Sequence, residues 1–445
     1  MKKLLSVLMV FCLIMPAWGT AETTHTLAVA GFIDYTRHSR FVELHPDIAV
    51  TVCEDYFQDA NRMIDALATQ DATYDVMILS TQAIDFKAMM RKGYAYPLSG
   101  SSVLENAVLE MYPGLQEWAI YQNKLYALPI GLTCNGLTFH PEYFHETGIE
   151  IPETWQDISN IINSWDNQPD EIRENYTISQ WTYQYRRWFL QQMMQSFDVY
   201  CQAHASEMQF DDPIFLRLME IADGISTSSD VDETNETAIA ALDDTFSLFQ
   251  NGEDPLQNGF HSSQPIFAAS VNGEKYYGAY VTLGIINPYS QHIEEAIKYL
   301  EYLAQSTSPQ VRLTLYPQGN LPVENTEYAA LKAEWQAEED RLQKAIADSP
   351  DEHKRELQDE LAAHQSALKW IERARFDVSD EDIAEYLTMA SGMVYLGPSL
   401  LSMKDSSGKY VIHELQERFL TNTISREQFI KELANKARMI QLEGL

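Results

Sequence analysis

Eight side chains are suited by type and position to holding a small polar molecule. Carboxylates and hydroxyls form hydrogen bonds with a ligand, and aromatic rings stack on its apolar faces. Six of these residues directly follow three predicted strands: Asp34, Tyr35, Glu54, Tyr56, Ser80 and Thr81. The other two, Trp181 and Tyr185, lie in the aromatic segment WTYQYRRW at 181–188. These residues predict a site that works by hydrogen bonding and ring stacking.

The aromatic segment has a second interpretation. Its spacing also fits a helix or strand in a hydrophobic core, where Trp181, Tyr185 and Trp188 would serve packing alone. Trp155 opens a predicted helix behind Thr154, which is suited to cap it. We expect Trp155 to pack rather than to bind ligand.

The motifs of common enzymes are missing from the sequence. It contains no Gly-x-Ser-x-Gly, no His-Glu-x-x-His, no glycine-rich phosphate loop and no paired-cysteine metal site. The adjacent acids Asp211-Asp212 and Asp243-Asp244 point in different directions and make poor catalytic pairs. We therefore expect no catalytic residue, no metal and no cofactor. A glycosidase, which needs two facing carboxylates about 5 to 10 Å apart, stays open as an alternative.

Strands and helices alternate at the start of the chain and position the first six candidates. The predicted strands are 27–30, 48–53 and 75–79, and helical patterns separate them. This alternation predicts an α/β fold with a parallel sheet covered by helices. Ligands of such sheets bind beyond the carboxyl ends of the strands, where Asp34, Glu54 and Ser80 lie.

Residues 327–376 differ from the rest of the chain. They are charged and rich in Ala, Glu, Lys and Leu, and Ser349-Pro350 interrupts the helical pattern once. We predict a helical hairpin that packs on the body along one face. It is either a solvated flap or an additional contact surface. Two more predicted helices, 411–420 and 425–442, follow.

The first 21 residues have the pattern of a secretory signal peptide. Lys2 and Lys3 precede an apolar run that ends at Pro16, and small residues follow up to Ala21. The run is too short to span a membrane. We expect cleavage of residues 1–21 and a soluble protein that is periplasmic or secreted.

The cysteines support neither a lipid anchor nor a disulfide framework. Cys12 follows the bulky Phe11, whereas a lipoprotein signal has a small residue there. Cys53, Cys134 and Cys201 remain after cleavage, and an odd number argues against a framework of bridges. One disulfide among the three stays open.

Charge and length narrow the class of protein further. The formal net charge of −34 repels nucleic acid and anionic membranes, so we expect neither as a partner. The 445 residues exceed the roughly 250 to 300 at which single cores split, which predicts two lobes.

Several segments, in this order, resemble the extracellular solute-binding proteins of family 1, which are similar to maltose-binding protein. They are FVELHPDIAVTV (41–52), TYDVMIL (73–79), NKLYALPIGLTCNGLTFHPEYFHETGIEIPETWQDI (123–158), GIINPYSQHIEEAIKYLEYLAQ (284–305) and GNLPV (319–323). None is diagnostic alone, but their order behind a signal peptide is specific. The chain departs from the family at His140, where relatives commonly have Asn, and at the hairpin, which resembles an insertion.

The resemblance implies a two-lobed, Venus-flytrap architecture with an inserted helical hairpin. It places lobe 1 at 22–130 plus 280–318 and lobe 2 at 131–279 plus 319–445, the hairpin at 327–376 included. The chain would cross between lobes near 129–137, 276–284 and 317–323. Glycines suited to act as hinges, unless they are ordinary strand-end glycines, are Gly131, Gly136, Gly278 and Gly319. Tyr395 lies where relatives return to the cleft, and we add it to the predicted ligand contacts.

The function implied by the resemblance is that of the solute-binding subunit of an ABC importer. Such a protein closes on a small ligand and delivers it to the transmembrane permease subunits, and we expect a monomer. A carbohydrate is the expected ligand, with polyamines, peptides and other small solutes left open. The alternatives are a secreted carbohydrate-active enzyme and a sensory module that serves no permease.

Overall fold

The computed structural model describes most of the chain, with several gaps. The described residues are 25–31, 35–53, 59–139, 141–179, 185–225, 238–244, 266–267, 269–271, 273–366, 368–401, 403 and 409–443. Within these ranges, no helix is long and apolar enough to cross a membrane.

Strands and helices alternate along much of the chain. The strands are β1 (His25–Ala30), β2 (Ile48–Cys53), β3 (Val76–Ser80), β4 (Ile120–Tyr121), β5 (Lys124–Leu125), β6 (Ala127–Thr133), β7 (Asn135–Phe139), β8 (Thr177–Ser179), β9 (Ala238–Asp244), β10 (Ile266–Phe267), β11 (Ala269–Val271), β12 (Glu274–Ile286), β13 (Val323–Glu324), β14 (Phe376–Val378) and β15 (Met393–Leu396). The helices are α1 (Tyr35–Leu44), α2 (Asp59–Ala68), α3 (Phe86–Arg91), α4 (Ser102–Leu109), α5 (Pro113–Gln116), α6 (Pro141–Thr147), α7 (Trp155–Asn163), α8 (Asp170–Asn175), α9 (Tyr185–Ala203), α10 (Pro213–Asp223), α11 (Ile293–Gln305), α12 (Pro309–Leu315), α13 (Tyr328–Asp348), α14 (Asp351–Ser366), α15 (Leu368–Arg373), α16 (Asp380–Ala390), α17 (His413–Leu420) and α18 (Arg426–Glu443).

The larger sheet is parallel where the sequence predicts it. β1 pairs in parallel with β2 on one side and with β3 on the other. The residues of β3 are almost all buried, as expected for a strand covered by helices on both faces. Side chains from residues 27–132 and 281–316 pack around this sheet in one cluster, here called the first core.

β12 holds the larger sheet together. Its 13 residues pair antiparallel with β3, β6 and β11 and parallel with β15. The sheet is therefore mixed, with β11-β12-β3-β1-β2 as its main order. Its length allows β12 to pair with four other strands.

A smaller sheet, ordered β10-β7-β9-β8, lies against a second cluster of buried side chains. This second core comprises residues from 137–240, Val271 and 401–433. β6 ends at Thr133 in the larger sheet and β7 begins at Asn135 in the smaller one, so the chain passes between the sheets at the buried Cys134.

The predicted helical hairpin is present as α13 and α14. The rings of Trp335 and His364 stack across it with centroids 4.9 Å apart, and the Trp335 indole N–H donates to the His364 carbonyl at 3.3 Å. The break falls at Ser349 and Pro350, because proline cannot continue the hydrogen-bond ladder of the preceding helix.

The segment after the hairpin packs on α12, next to the first core. Leu313 of α12 lies in one small cluster with Val378 of β14 and Tyr386 of α16, and the Tyr386 hydroxyl donates to the Thr314 carbonyl at 3.1 Å. Side chains join the second core again from Leu401 onward. The division of the whole chain into lobes stays a prediction, and these contacts describe packing alone.

Candidate functional site

Thr81 joins three strands at the carboxyl end of β3. Its side chain is fully buried. Its hydroxyl donates to the Leu396 carbonyl at 2.6 Å and accepts the Val281 N–H at 2.9 Å. The hydroxyl is therefore occupied inside the sheet, and this geometry disfavours the ligand contact predicted for Thr81. The neighbouring Ser80 is half-buried, and its hydroxyl accepts the Gln82 N–H at 3.2 Å.

Tyr395 packs against the first core. A Cβ built on Gly114 would lie 2.4 Å from the Tyr395 ring, so the glycine is needed for the ring to fit. Burial raises the pKa of Tyr395, and nearby Tyr112 raises it further. This packing gives Tyr395 a structural role, and its predicted contact with ligand has no support from the described geometry.

The other predicted ligand contacts cannot be compared with the structure. Asp34, Glu54, Tyr56 and Trp181 lie outside the described residues. Tyr35 and Tyr185 are the first residues of α1 and α9, and only their backbones are described. Their roles stay predictions.

Trp155 and Trp188 are packing residues. They are 3% and 6% exposed, and both belong to the second core. The Trp155 indole N–H donates to the Ser196 hydroxyl at 3.0 Å. Thr154 caps α7 through a reciprocal pair of hydrogen bonds with Asp157, as its position predicts.

Of the four glycines predicted as hinges, Gly278 has the clearest steric reason to be glycine. A Cβ there would lie 2.6 Å from Val199 of α9 and 2.8 Å from Leu396 of β15. Gly278 therefore lets a helix of the second core approach β12 closely. Gly319 has a φ of +75°, which favours glycine.

The remaining two, Gly131 and Gly136, lie in paired strands. Gly131 is opposite Thr282 in the larger sheet, and Gly136 is opposite Asp243 in the smaller one. A hinge role for these four glycines stays a prediction.

A small cavity lies where the two cores meet. Its walls come from the β6–β7 connection, β7, α7, α9, β12 and β15: Cys134, Leu137, Trp155, Gln192, Gln195, Ser196, Asp198, Val199, Tyr276, Tyr277, Gly278, Tyr280 and Leu396. The volume is about 50 Å³. A water needs roughly 10 to 15 Å³ measured this way, and ligand pockets are roughly 300 to 1,000 Å³. In this conformation the cavity has room for a few waters and none for a sugar ring.

Asp198 brings a carboxyl group to this cavity at 2% exposure. It accepts hydrogen bonds from the Gln202 amide at 2.9 Å and the Ser399 hydroxyl at 2.5 Å. Burial raises the pKa of Asp198 to about 6, although both hydrogen bonds lower it. Gln202 also accepts the Gly397 N–H at 2.9 Å, so α9 is tied to the segment that follows β15.

Sequence reasoning did not single out Asp198, Gln202 or Gly397. The available signal was the polar content of α9, whose central run QQMMQSFD is too polar for a plain core helix. Polar side chains on a buried helix need partners. Here Gln191, Gln195 and Asp198 bond to groups of Leu401, Tyr410 and Ser399, which lie about 200 positions further along the chain. The identity of those partners depends on the fold.

Comparison with known proteins agrees with this architecture. Residues 24–308 match the family described as bacterial extracellular solute-binding protein. The multiple sugar-binding protein of Streptococcus mutans is 26% identical over 104 residues, which are 23% of this chain and 24% of that protein. The match thus spans about a quarter of that relative.

Two solved structures share the fold over nearly their whole length. An ABC substrate-binding protein from Listeria monocytogenes in complex with cycloalternan has a TM-score of 0.57 at 14% identity, covering 95% of this chain and 99% of that one. An ABC transporter solute-binding protein from Agrobacterium vitis with bound D-mannitol has a TM-score of 0.56 at 15% identity, with the same coverage.

These likenesses establish the two-lobed α/β fold of periplasmic binding proteins, and the family match covers more than half of the sequence. The chain belongs to the family of bacterial extracellular solute-binding proteins.

Proposed function

We propose that the protein captures a carbohydrate outside the cytoplasm, closes on it and delivers it to the transmembrane subunits of an ABC importer. The observation that carries this proposal is the family match over residues 24–308. The ligands named for relatives of the same fold are cycloalternan, D-mannitol, tagatose and maltose, all of them carbohydrates or their derivatives.

The described packing supports closure about a joint. Two separate cores are joined by β12 and by the short connection at Cys134, and a small cavity lies where they meet. Ligand would lie between the two lobes. The resemblance implies lobes of 22–130 plus 280–318 and 131–279 plus 319–445, but β15 pairs with β12 in the larger sheet, so we place the return to the second lobe at 396–401 rather than near 317–323. A ligand that binds the closed form more tightly than the open form shifts the population toward closure.

Seven of the predicted ligand contacts stay in the proposal, without Thr81 and Tyr395, whose described packing gives each another role. They are Asp34, Tyr35, Glu54, Tyr56, Ser80, Trp181 and Tyr185. Carboxylates accept hydrogen bonds from sugar hydroxyls, and aromatic rings stack on the apolar faces of sugar rings.

Localisation and partners follow from the same proposal. The signal pattern at 1–21 directs export, and the net charge of −34 disfavours nucleic acid as a partner. The protein acts as a monomer and catalyses no reaction, since family members of this kind bind solutes.

The test is a thermal-shift screen of the mature protein against mono- and oligosaccharides, sugar alcohols, polyamines and short peptides. A ligand at 100 times its dissociation constant stabilises the folded state by roughly 2.7 kcal/mol, so we expect one or more carbohydrates to raise the melting temperature. A shift with polyamines or peptides alone would overturn the carbohydrate assignment.

Product analysis of the same incubations separates binding from catalysis. We expect every oligosaccharide to be recovered intact. Cleavage products would contradict the proposal and favour the secreted carbohydrate-active enzyme.

A further inference from the structure

Within the described residues, the chain passes between the two cores in three places, and these places differ in structure. At Cys134 one strand follows another after a single residue, and at β12 one strand continues through. The third passage begins where β15 ends at Leu396 and leads to Leu401 of the second core without a strand or helix. Ladder hydrogen bonds restrain the first two passages, and side chains must restrain the third.

Two side chains from opposite cores hold consecutive residues of this third passage. Thr81, which follows β3 of the first core, donates its hydroxyl proton to the Leu396 carbonyl at 2.6 Å. Gln202, on α9 of the second core, accepts the Gly397 N–H at 2.9 Å, and its amide lies 3.5 Å from the Gly397 carbonyl. The Leu396–Gly397 peptide is thus the point at which attachment changes from one core to the other.

The surroundings of this peptide limit how it can be substituted. A Cβ on Gly397 would approach the indole of Trp118, from the first core, to 3.1 Å. Asp198 adds a second tether, because it accepts hydrogen bonds from both Gln202 and Ser399. The third passage is therefore fixed at 396, 397 and 399 by named groups.

We infer that the Leu396–Gly397 peptide is the pivot of closure, and that Thr81 and Gln202 are positioning residues that set the balance between open and closed forms. This inference rests on the proposed function, since a pivot matters only if the lobes move. Rotation about this peptide turns one core relative to the other, while Thr81 holds Leu396 and Gln202 holds Gly397 in place.

The experiment compares the ligand-free protein and four variants by small-angle X-ray scattering and thermal unfolding. Thr81→Val keeps the shape and removes the hydroxyl, and Gln202→Leu removes the amide. Each substitution removes at least two hydrogen bonds, those of Thr81 with Leu396 and Val281 or those of Gln202 with Gly397 and Asp198. Such a loss shifts a two-state balance roughly 5- to 100-fold, so we expect both variants to have a broader pair-distance distribution than the wild type. Thr81→Ser keeps the hydroxyl and is expected to retain the wild-type distribution.

The matched control is Gln191→Leu, on the same helix. Gln191 is buried, and its amide donates to the Leu401 carbonyl at 3.1 Å, inside the second core. We expect this variant to melt earlier while its scattering stays that of the wild type. If Thr81→Val does not fold, Gln202→Leu decides, because Gln202 is only half-buried.

The assignment of the Leu396–Gly397 peptide as the pivot would be refuted by either of two results. One is a pair-distance distribution like that of the wild type in Gln202→Leu, and the other is the same broadening in Gln191→Leu. The scattering uses no ligand, so failure of the carbohydrate screen would refute the proposed ligand and leave this result unaffected.

Discussion

Two buried aspartates, one beside each core, differ in the groups that surround their carboxylates. Asp75 precedes β3 in the first core and accepts hydrogen bonds from the Ala28 N–H at 2.7 Å and the Ser290 hydroxyl at 2.6 Å, with the His292 ring nitrogen 3.3 Å away. Asp198 of α9 has two donors, an amide and a hydroxyl, both neutral. Burial raises the pKa of Asp198 to about 6.

The difference shows what each carboxylate contributes. Asp75 binds β1 and the start of α11 together at the end of the sheet away from the joint, so it fixes a corner of the first core. Asp198 lies in the wall of the cavity between the two cores, where its charge is poorly stabilised. A buried charge with incomplete compensation lowers stability, and we infer that Asp198 is there for the arrangement of the third passage.

The largest expected effect is that of Asp75→Ala. The substitution leaves the Ala28 N–H and the Ser290 hydroxyl without their acceptor, and we expect a loss of about 3 kcal/mol in the free energy of unfolding. Urea denaturation followed by circular dichroism measures it. The exposed Asp71→Ala is the control, and equal losses in the two variants would contradict the role given to Asp75.

Asp198→Asn tests the poorly stabilised carboxylate through the pH dependence of the free energy of unfolding. The folded pKa of Asp198, about 6, lies above its usual value near 3.8, so the unfolded chain loses its proton first as the pH rises. Asp198 therefore stabilises the folded state at a pH below its usual pKa, and this contribution is lost as the pH rises from the usual pKa to the folded pKa. From about pH 4.5 to about pH 7.5 it amounts to about 2 kcal/mol.

We expect Asp198→Asn to lack this component of the pH dependence. The measurement is the free energy of unfolding at both pH values, compared with the wild type and with Asp47→Asn, an exposed control. An unchanged pH dependence in Asp198→Asn would show that the carboxyl group titrates in both states alike.

Ser399→Ala has the smallest expected effect and sharpens the same comparison. The Ser399 hydroxyl lowers the pKa of Asp198, so its removal raises that pKa further. We expect a loss of about 1 kcal/mol at about pH 7.5 and a smaller one at about pH 4.5, because only the ionised carboxylate depends on this donor. Equal losses at both pH values would contradict the link between Ser399 and Asp198.

The sequence predicted those parts of the fold that depend on local patterns. The parallel arrangement of β1, β2 and β3 follows from the strand–helix alternation, and the break of the hairpin follows from Pro350. The cap of α18 was also predictable, and the Ser425 hydroxyl accepts the Gln428 N–H at 3.2 Å. In each case the decisive residues are neighbours in sequence.

The candidate site was less predictable because its partners are distant in sequence. Thr81 follows a strand like a ligand-binding residue, yet the Leu396 carbonyl, 315 positions away, takes its hydroxyl proton. Gln202 and Gly397 are 195 positions apart. No local pattern encodes such pairs. They arise because β12 lies between β3, β6 and β15, antiparallel to the first two and parallel to the third, and this placement is itself a long-range result.

The position of β12 also has a consequence for folding during synthesis of the chain. The first core needs residues 281–316, which the ribosome makes only after the whole of the segment 137–271 that contributes to the second core. A nascent chain that stops short of Val281 has β1, β2 and β3 but no central strand to hold them against β6. The N-terminal half of the protein therefore cannot complete its sheet until β12 has been synthesised.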